Sequence, residues 1–283
     1  MNQPLNALIV ELNISSWSAR RHDKKASKDV TSGAGANSTD AARVQKNLMA
    51  GMDNLKKVTD FVAVARNEFY KMTLPWSDSG QRLIPMTQFF DLKQWVNHTE
   101  TEFNTLVRDF LTAYPLLISA QAFQLGQLFD RSEYPTVAEI AEKFRFKVGF
   151  LPLPVAGDFR VDAPKEAMQE MEQEYNKLIE ERVSEVNRDL WQRLHDCLSH
   201  MSERLGVDDN GRKKVFRDSL INNAEDLCDL LTRLNVTNDV KLEDARRKLE
   251  GVLAGIDPEL LRESDGVRIE TKNKIDSVLS SWM

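Results

Sequence analysis

Apolar residues occupy both phases of a two-residue period across residues 5–14 (LNALIVELNI), which predicts a short buried strand. Residues 15–39 lose that period. They are rich in Ser, Gly, Lys and Ala and run into SGAGANS at 32–38, the pattern of a long loop or a hairpin with a mobile tip. From Asp40 the spacing turns helical: Leu48, Met52, Leu55, Val58, Val62 and Phe69 recur at steps of three and four, and the helix is expected to stop before Pro75. Residues 75–85 (PWSDSGQRLIP) predict a turn and a short extended piece. A second amphipathic helix is expected over 89–113, kinked or ended by Pro115, with 116–129 continuing helically. Thr136 and Glu139 have the spacing of a capping box for a short helix ending near Phe144.

Residues 146–161 (FKVGFLPLPVAGDFRV) alternate again, but Pro152 and Pro154 confine such a strand to a sheet edge or to its own end. A small sheet from 5–14, 146–153 and 158–161 is the expected arrangement. Beyond Pro164 every segment reads as helix. The stretch 165–205 carries one apolar seam, through Leu178, Leu190, Leu194, Leu198 and Leu205, and would extend roughly 60 Å at 1.5 Å per residue. Further seams follow over 216–234 and 242–256, and Pro258 opens a short helix at its first position. The fold class expected is therefore α+β, predominantly α. A mixed domain with a long basic loop would fill 1–162, and an all-helical hairpin or bundle would fill 163–283. Because one 60 Å helix is hard to bury within a single chain, the C-terminal seams are expected to join subunits into a homo-oligomer.

Composition narrows the class. The 283 residues are 41% hydrophobic and 29% charged, which suits a globular chain and argues against whole-chain disorder. The longest apolar runs, such as 115–120, fall far short of the roughly 20 residues a bilayer span needs, so no membrane partner is expected. The first 25 residues lack the order of a signal peptide, since Arg20, Arg21, Lys24 and Lys25 follow the apolar run instead of preceding it. Two cysteines, Cys197 and Cys228, cannot build a disulfide framework and suit a reducing cytoplasm. Net charge −6 excludes a uniformly basic nucleic-acid coat but leaves room for a local basic patch.

No catalytic motif stands out, and neither a cofactor nor a metal is expected. Gly33 and Gly35 lack both a preceding strand and the Lys of a phosphate loop. His195 and His200, five apart on a helix, would point about 140° away from each other and could not share one ion. Cys228 sits beside an apolar seam and reads as core. No Ser or Cys has a recognisable His base. Glu270-x-Lys272 superficially has the shape of a metal-dependent nuclease motif, but its flanks are amphipathic helix, so hydrolysis is the weakest of three classes.

The most informative segment is Trp17–Lys28, WSARRHDKKASK. Arg20, Arg21, Lys24, Lys25 and Lys28 stand against Asp23 alone, a local charge of +4 in an acidic chain. Such cations neutralise phosphates, and Trp17 could stack on a base. The competing reading is a solvated loop, or a self-complementary contact with the 166–203 helix, where ten acids face four bases. Trp76, Asp78 and Arg82, in LPWSDSGQRLIP, together with Arg160, form a second candidate binding turn. Trp76 there equally suits a plug at the base of a loop.

Four blocks occur in order: ISSWSARRHDKKASKDV (14–30), LPWSDSGQRLIP (74–85), LFDRSEYPTVAEIAEKFRF (128–146) and LPLPVAGDFRV (151–161). Together they resemble a family of proteins encoded by tailed bacteriophages and prophages, over roughly residues 5–162. That family carries no assigned activity. The resemblance implies a phage origin and action in the host cytoplasm, and it transfers no catalytic residue.

The expectation is thus a non-enzymatic homo-oligomer that binds nucleic acid, single-stranded DNA above all, in phage replication or recombination. The alternative is a protein-interaction factor: an adaptor, an assembly factor, or an inhibitor of a host defence or polymerase, with a phage or host protein as its partner.

Overall fold

The computed structural model describes residues 5–38, 40–153 and 164–281. The fold is α+β and predominantly α. The expected domain boundary at 162/163 lies outside the described residues. Among those described, the chain forms two compact units: the described parts of 1–11, 70–92 and 149–283, and those of 12–69 and 93–148. The first unit therefore joins segments from both sides of that boundary.

The sheet has the order β4-β5-β1-β6, with β1 at Ala7–Ser15, β4 at Leu74–Pro75, β5 at Arg82–Pro85 and β6 at Arg145–Pro152. Strand β1 pairs antiparallel with β5, setting Ile9 opposite Leu83 and Leu8 opposite Ile84. β5 turns back on β4 with Leu74 opposite Leu83. Both edge strands end on proline, Pro75 and Pro152, where a missing N–H costs no ladder bond. The edge position of β6 matches the reading of its sequence. The third strand expected at 158–161 lies outside the described residues.

In the first unit, the apolar seams become the core of a helical bundle. Helices α5 (Lys165–Leu205), α6 (Ser219–Leu234), α7 (Val240–Leu253), α8 (Pro258–Glu263) and α9 (Asp265–Ser280) pack so that α5 lies against α6 and α9, and α7 against α6 and α9. Leu190, Leu194, Leu198, Met201 and Leu205 of α5 are fully covered by this chain's own helices. The seam expected to join subunits is thus filled internally from Val186 onward. The preceding 165–185 contain no buried residue. The carboxyl end of α5 is closed by the buried Arg268 of α9, whose guanidinium donates to the carbonyls of Leu205 and Arg204 at 2.8 Å and of Lys214 at 2.6 Å. The Arg204 and Leu205 carbonyls, at the last turn of α5, have no donor left in their own helix.

The second unit is built on α2 (Asp53–Met72, up to residue 69) and α3 (Phe89–Leu125, from residue 93). Leu55, Val58, Val62 and Ala65 of α2 share a core with Phe103, Val107, Phe110, Tyr114 and Ile118 of α3. Two expectations are corrected here, at Asp40 and at 15–39. The helix read from Asp40 begins at Asp53. Leu48 and Met49 are buried in a turn after strand β3 (Gln45–Asn47), where the Met49 amide bonds to the Asn47 side chain at 3.0 Å. Pro115 lies inside α3, which continues to Leu125 in line with the helical reading of the residues after it. The segment expected as a loop or hairpin over 15–39 contains, among its described residues, strand β2 (Arg20–His22), paired antiparallel with β3, and helix α1 (Lys24–Gly33). The capping box at Thr136 and Glu139 is present on α4 (Val137–Ala141), with both reciprocal bonds made.

Candidate functional site

Helix α1 and strand β2 are set by a few polar contacts, which explains why the segment shows no apolar period. Asp23 is the N-cap of α1 and accepts from the Ala26 amide at 2.9 Å. The residues that α1 buries are Ser27 and Thr31. The Ser27 hydroxyl donates to the Asp23 carbonyl at 2.6 Å, accepts the Val44 amide at 2.9 Å and meets His22 Nε2 at 3.1 Å. Just before β2, Ala19 is wholly buried at φ 53°, and its carbonyl accepts the Leu48 amide at 2.7 Å. A non-glycine residue in the left-handed region is uncommon and costs of order 1 kcal/mol. Here it aims Arg20 and Arg21 away from the core.

The result is a cleft of about 830 Å³. One wall is Arg20, Arg21, Lys24 and Lys25; the other is the 127–133 segment, with Phe129, Asp130 and Glu133. Lys46 of β3 ties the two together. Its ammonium bonds to the Leu128 carbonyl at 2.7 Å and to Glu133 at 2.5 Å, and its side chain is nearly buried. Asp130 is held below the ordinary carboxylate range by the Ser132 hydroxyl and then the Ser132 amide. With Glu133 neutralised by Lys46, and Asp23 and Asp130 occupied by backbone donors, Asp29 is the remaining acid of the cleft.

The cationic wall is electrostatically unfavourable as it stands. Arg20, Arg21, Lys24, Lys25 and Lys28 are all exposed, and their side chains have no ion pair or hydrogen bond among the described residues. Lys24 and Lys25 also occupy the first turn of α1, where the N-cap Asp23 is the one acid set against them. A helix amino end already bears about half a positive charge, so a cation there costs about 0.3–1 kcal/mol where an anion would gain as much. A polyanion laid along this wall would turn each of these costs into a gain.

Trp17, expected in the site, is not among the residues that line the cleft. Its ring is half-buried, edge-on to Tyr114 at 5.8 Å and tilted against Phe110 at 6.3 Å, so it anchors the segment and does not line the cleft. The aromatic that does is Phe129, itself packed on Tyr134 at 5.3 Å. Compared with protein families, curated proteins and solved structures, the chain matches none.

In the second candidate turn, Trp76 and Arg82 make structural contacts. Trp76 is buried, and its carbonyl accepts from Arg182. Asp78 is exposed at the tip of the β4–β5 turn, beside Gly80 at φ 89°. Arg82 folds back to donate to the Thr73 hydroxyl at 3.0 Å and lies 5.0 Å over the Tyr70 ring. Burial, and then the charge of Arg193, lowers its pKa. Arg160 lies outside the described residues. Glu270 and Lys272 pair with different neighbours along α9, Lys274 and Asp276, each four residues on. Among the described residues, no group of three or more His, Cys, Asp or Glu is placed to hold a metal ion, and no helix is long and apolar enough to cross a membrane.

Proposed function

We propose that this chain is a homo-oligomeric phage protein that binds nucleic acid, single-stranded DNA above all, in replication or recombination in the host cytoplasm, and that it does so without catalysis. The observation that carries the reading is the unpaired cationic wall: Arg20, Arg21, Lys24, Lys25 and Lys28 gathered on β2 and the first turns of α1, beside a cleft with an aromatic floor. A single strand fits this better than a duplex. The 127–133 wall confines the anion to one side, and Phe129 offers contact for an unstacked base.

The test is fluorescence anisotropy of a labelled 40-nucleotide single strand across a salt series. Five phosphate contacts on a single strand predict a slope of log K against log salt near about −3.5, a loss of about 100-fold between 50 and 200 mM. Binding that is absent at low salt, or insensitive to salt, overturns the reading. A protein-interaction role has one specific support, the exposed acids of α5 at 166, 170, 172, 174, 180 and 181. In that case the DNA signal is missing, and reversing those charges abolishes partner capture.

A further inference from the structure

The geometry points to the outer face of α3, around Leu116 and Phe123, as the surface by which one copy of this chain docks on a second copy. Residues 110–129 contain no charged side chain, a run of twenty in a chain that is 29% charged and would be expected to place about six there. Most of that run is the last part of α3, which buries Phe110, Tyr114, Ile118 and Gln121 on one face and exposes the other. Leu116 is 77% and Phe123 91% exposed. Seven residues apart, they lie within about 20° of one another around the helix, with Ala120 between them. Isolated exposed apolar residues are ordinary. Two large ones aligned on a strip without charge are an uncovered face.

A second stripe runs beside the first. Pro115, Ser119 and Ala122 follow one another at helical spacing, and with Ile118 and Val137 they line one side of a groove of about 530 Å³ that Arg131 and Thr136 also border. The patch thus carries a protruding aromatic and a groove of mixed lining side by side. A surface that owns both knob and groove can satisfy itself about a two-fold axis, Phe123 of each copy entering the groove of the other.

Area and charge favour this occupant. On the scale of 150–250 Å² for one exposed aromatic, Phe123, Leu116, Val137 and Pro115 present roughly 400–500 Å² per copy. A pair would bury roughly 800–1,000 Å² of apolar surface before counting its polar rim, close to the ~1,200 Å² where specific interfaces begin. One base and one acid flank the uncharged run at each end, Arg108 and Asp109 before it and Asp130 and Arg131 after it, so neither flank carries net charge. Helices that lie on anionic membranes carry an excess of Lys and Arg at such places. The inference deepens the self-association part of the function proposed above and does not depend on whether the cleft binds DNA.

The experiment is sedimentation equilibrium of the full chain at about 1 and about 50 µM, for the wild type, for L116E/F123E and for V215E, a charge inserted at an equally exposed position elsewhere. Anisotropy with the 40-nucleotide strand is measured on the same samples. The expected result is a wild type and V215E that approach twice the chain mass at high concentration, and an L116E/F123E that stays at one. All three should unfold at the same temperature at about 1 µM, since the substituted side chains are exposed, while at about 50 µM dimerisation should raise the wild type and V215E above L116E/F123E. A monomeric wild type overturns the inference, and flotation of that monomer with phosphatidylcholine vesicles would reassign the face to lipid. An oligomer that survives L116E/F123E also overturns it. DNA binding retained by a monomeric L116E/F123E would leave the cleft reading standing, and DNA binding lost by a dimeric wild type would leave this one.

Discussion

Arg82 and Arg193 donate to the same carbonyl oxygen, that of Thr73, at 2.7 and 2.9 Å. Both also reach the Tyr70 carbonyl at 3.1 Å, and Arg193 adds Lys71 at 2.9 Å while its Nε pairs with Asp189 at 2.7 Å. Two guanidinium groups therefore close the carboxyl end of α2, where the helix presents unpaired carbonyls and partial negative charge. Replacing Arg193 with Met leaves Asp189 and the Lys71 carbonyl without their donor. Urea unfolding should show a loss of about 2–4 kcal/mol. Lys at this position should rescue little, because one ammonium cannot fork to three carbonyls and a carboxylate.

At the cleft, R20A/R21A/K24A/K25A should keep the unfolding temperature of the wild type or raise it slightly, because it relieves unpaired repulsion at the α1 amino end. Its salt slope for single-stranded DNA should flatten by about 2.8, at about 0.7 per lost contact. An unchanged slope would show that these side chains do not meet phosphate.

Ala19 offers a test that leaves every cation in place. At φ 53° and fully buried, it tolerates glycine to within about 1 kcal/mol, with relief of backbone strain set against a lost methyl. Ala19→Val places a branched side chain in the left-handed region and should cost more than about 2 kcal/mol while weakening DNA binding. Chemical denaturation and anisotropy on the same samples read both effects.

The bundle and the cleft differ in how much of each was legible in sequence. The seam of Leu190, Leu194 and Leu198, the box of Thr136 and Glu139, and Pro258 at a helix start are local patterns, and each appears where its spacing places it. Helix α1 was hidden because its inward residues are Ser27 and Thr31, which are buried through hydroxyl bonds and leave no apolar period. The cations of one wall were legible as a charge run. Lys46 and Phe129 were not: the former meets its partners more than eighty residues away, a relation only the folded chain supplies. The packing of Trp17 on Phe110 and Tyr114 was not legible either, because an aromatic beside cations looks the same in sequence whether it faces the cleft or the core.

Neither thiol should react in the native state. Burial pushes Cys228 up to about 12 and Cys197 up to about 11, so the thiolate fraction at pH 8 is far below that of a free cysteine. Mass spectrometry after iodoacetamide should find both unmodified, and both labelled in urea.

The surface of α7 sets an acid limit. The hydrogen bond from Arg246, aided by one from Arg247, holds Glu243 down at about 2. A carboxyl whose pKa is depressed on folding stabilises above its unfolded value, near 4.5, and loses that contribution as pH falls toward 2. Glu243→Gln should lower stability at pH 7 by about 1 kcal/mol, given the partial exposure of these groups. Thermal unfolding at pH 7 and pH 2.5 should show the gap between the two proteins closing at the lower pH.

The unit that holds α5 to α9 is assembled from three separate stretches of chain. A ribosome releases residues 5–11 and 70–92 long before the helices that cover them. The unit of 12–69 and 93–148 is complete once residue 148 has emerged. Synthesis therefore imposes an order: the part that carries the cationic cleft can fold while strands β4 and β5 still wait, uncovered, for a partner not yet translated. Leu74, Trp76 and Leu83 are the side chains exposed through that interval, and they mark where a nascent chain of this protein is most open to a chaperone.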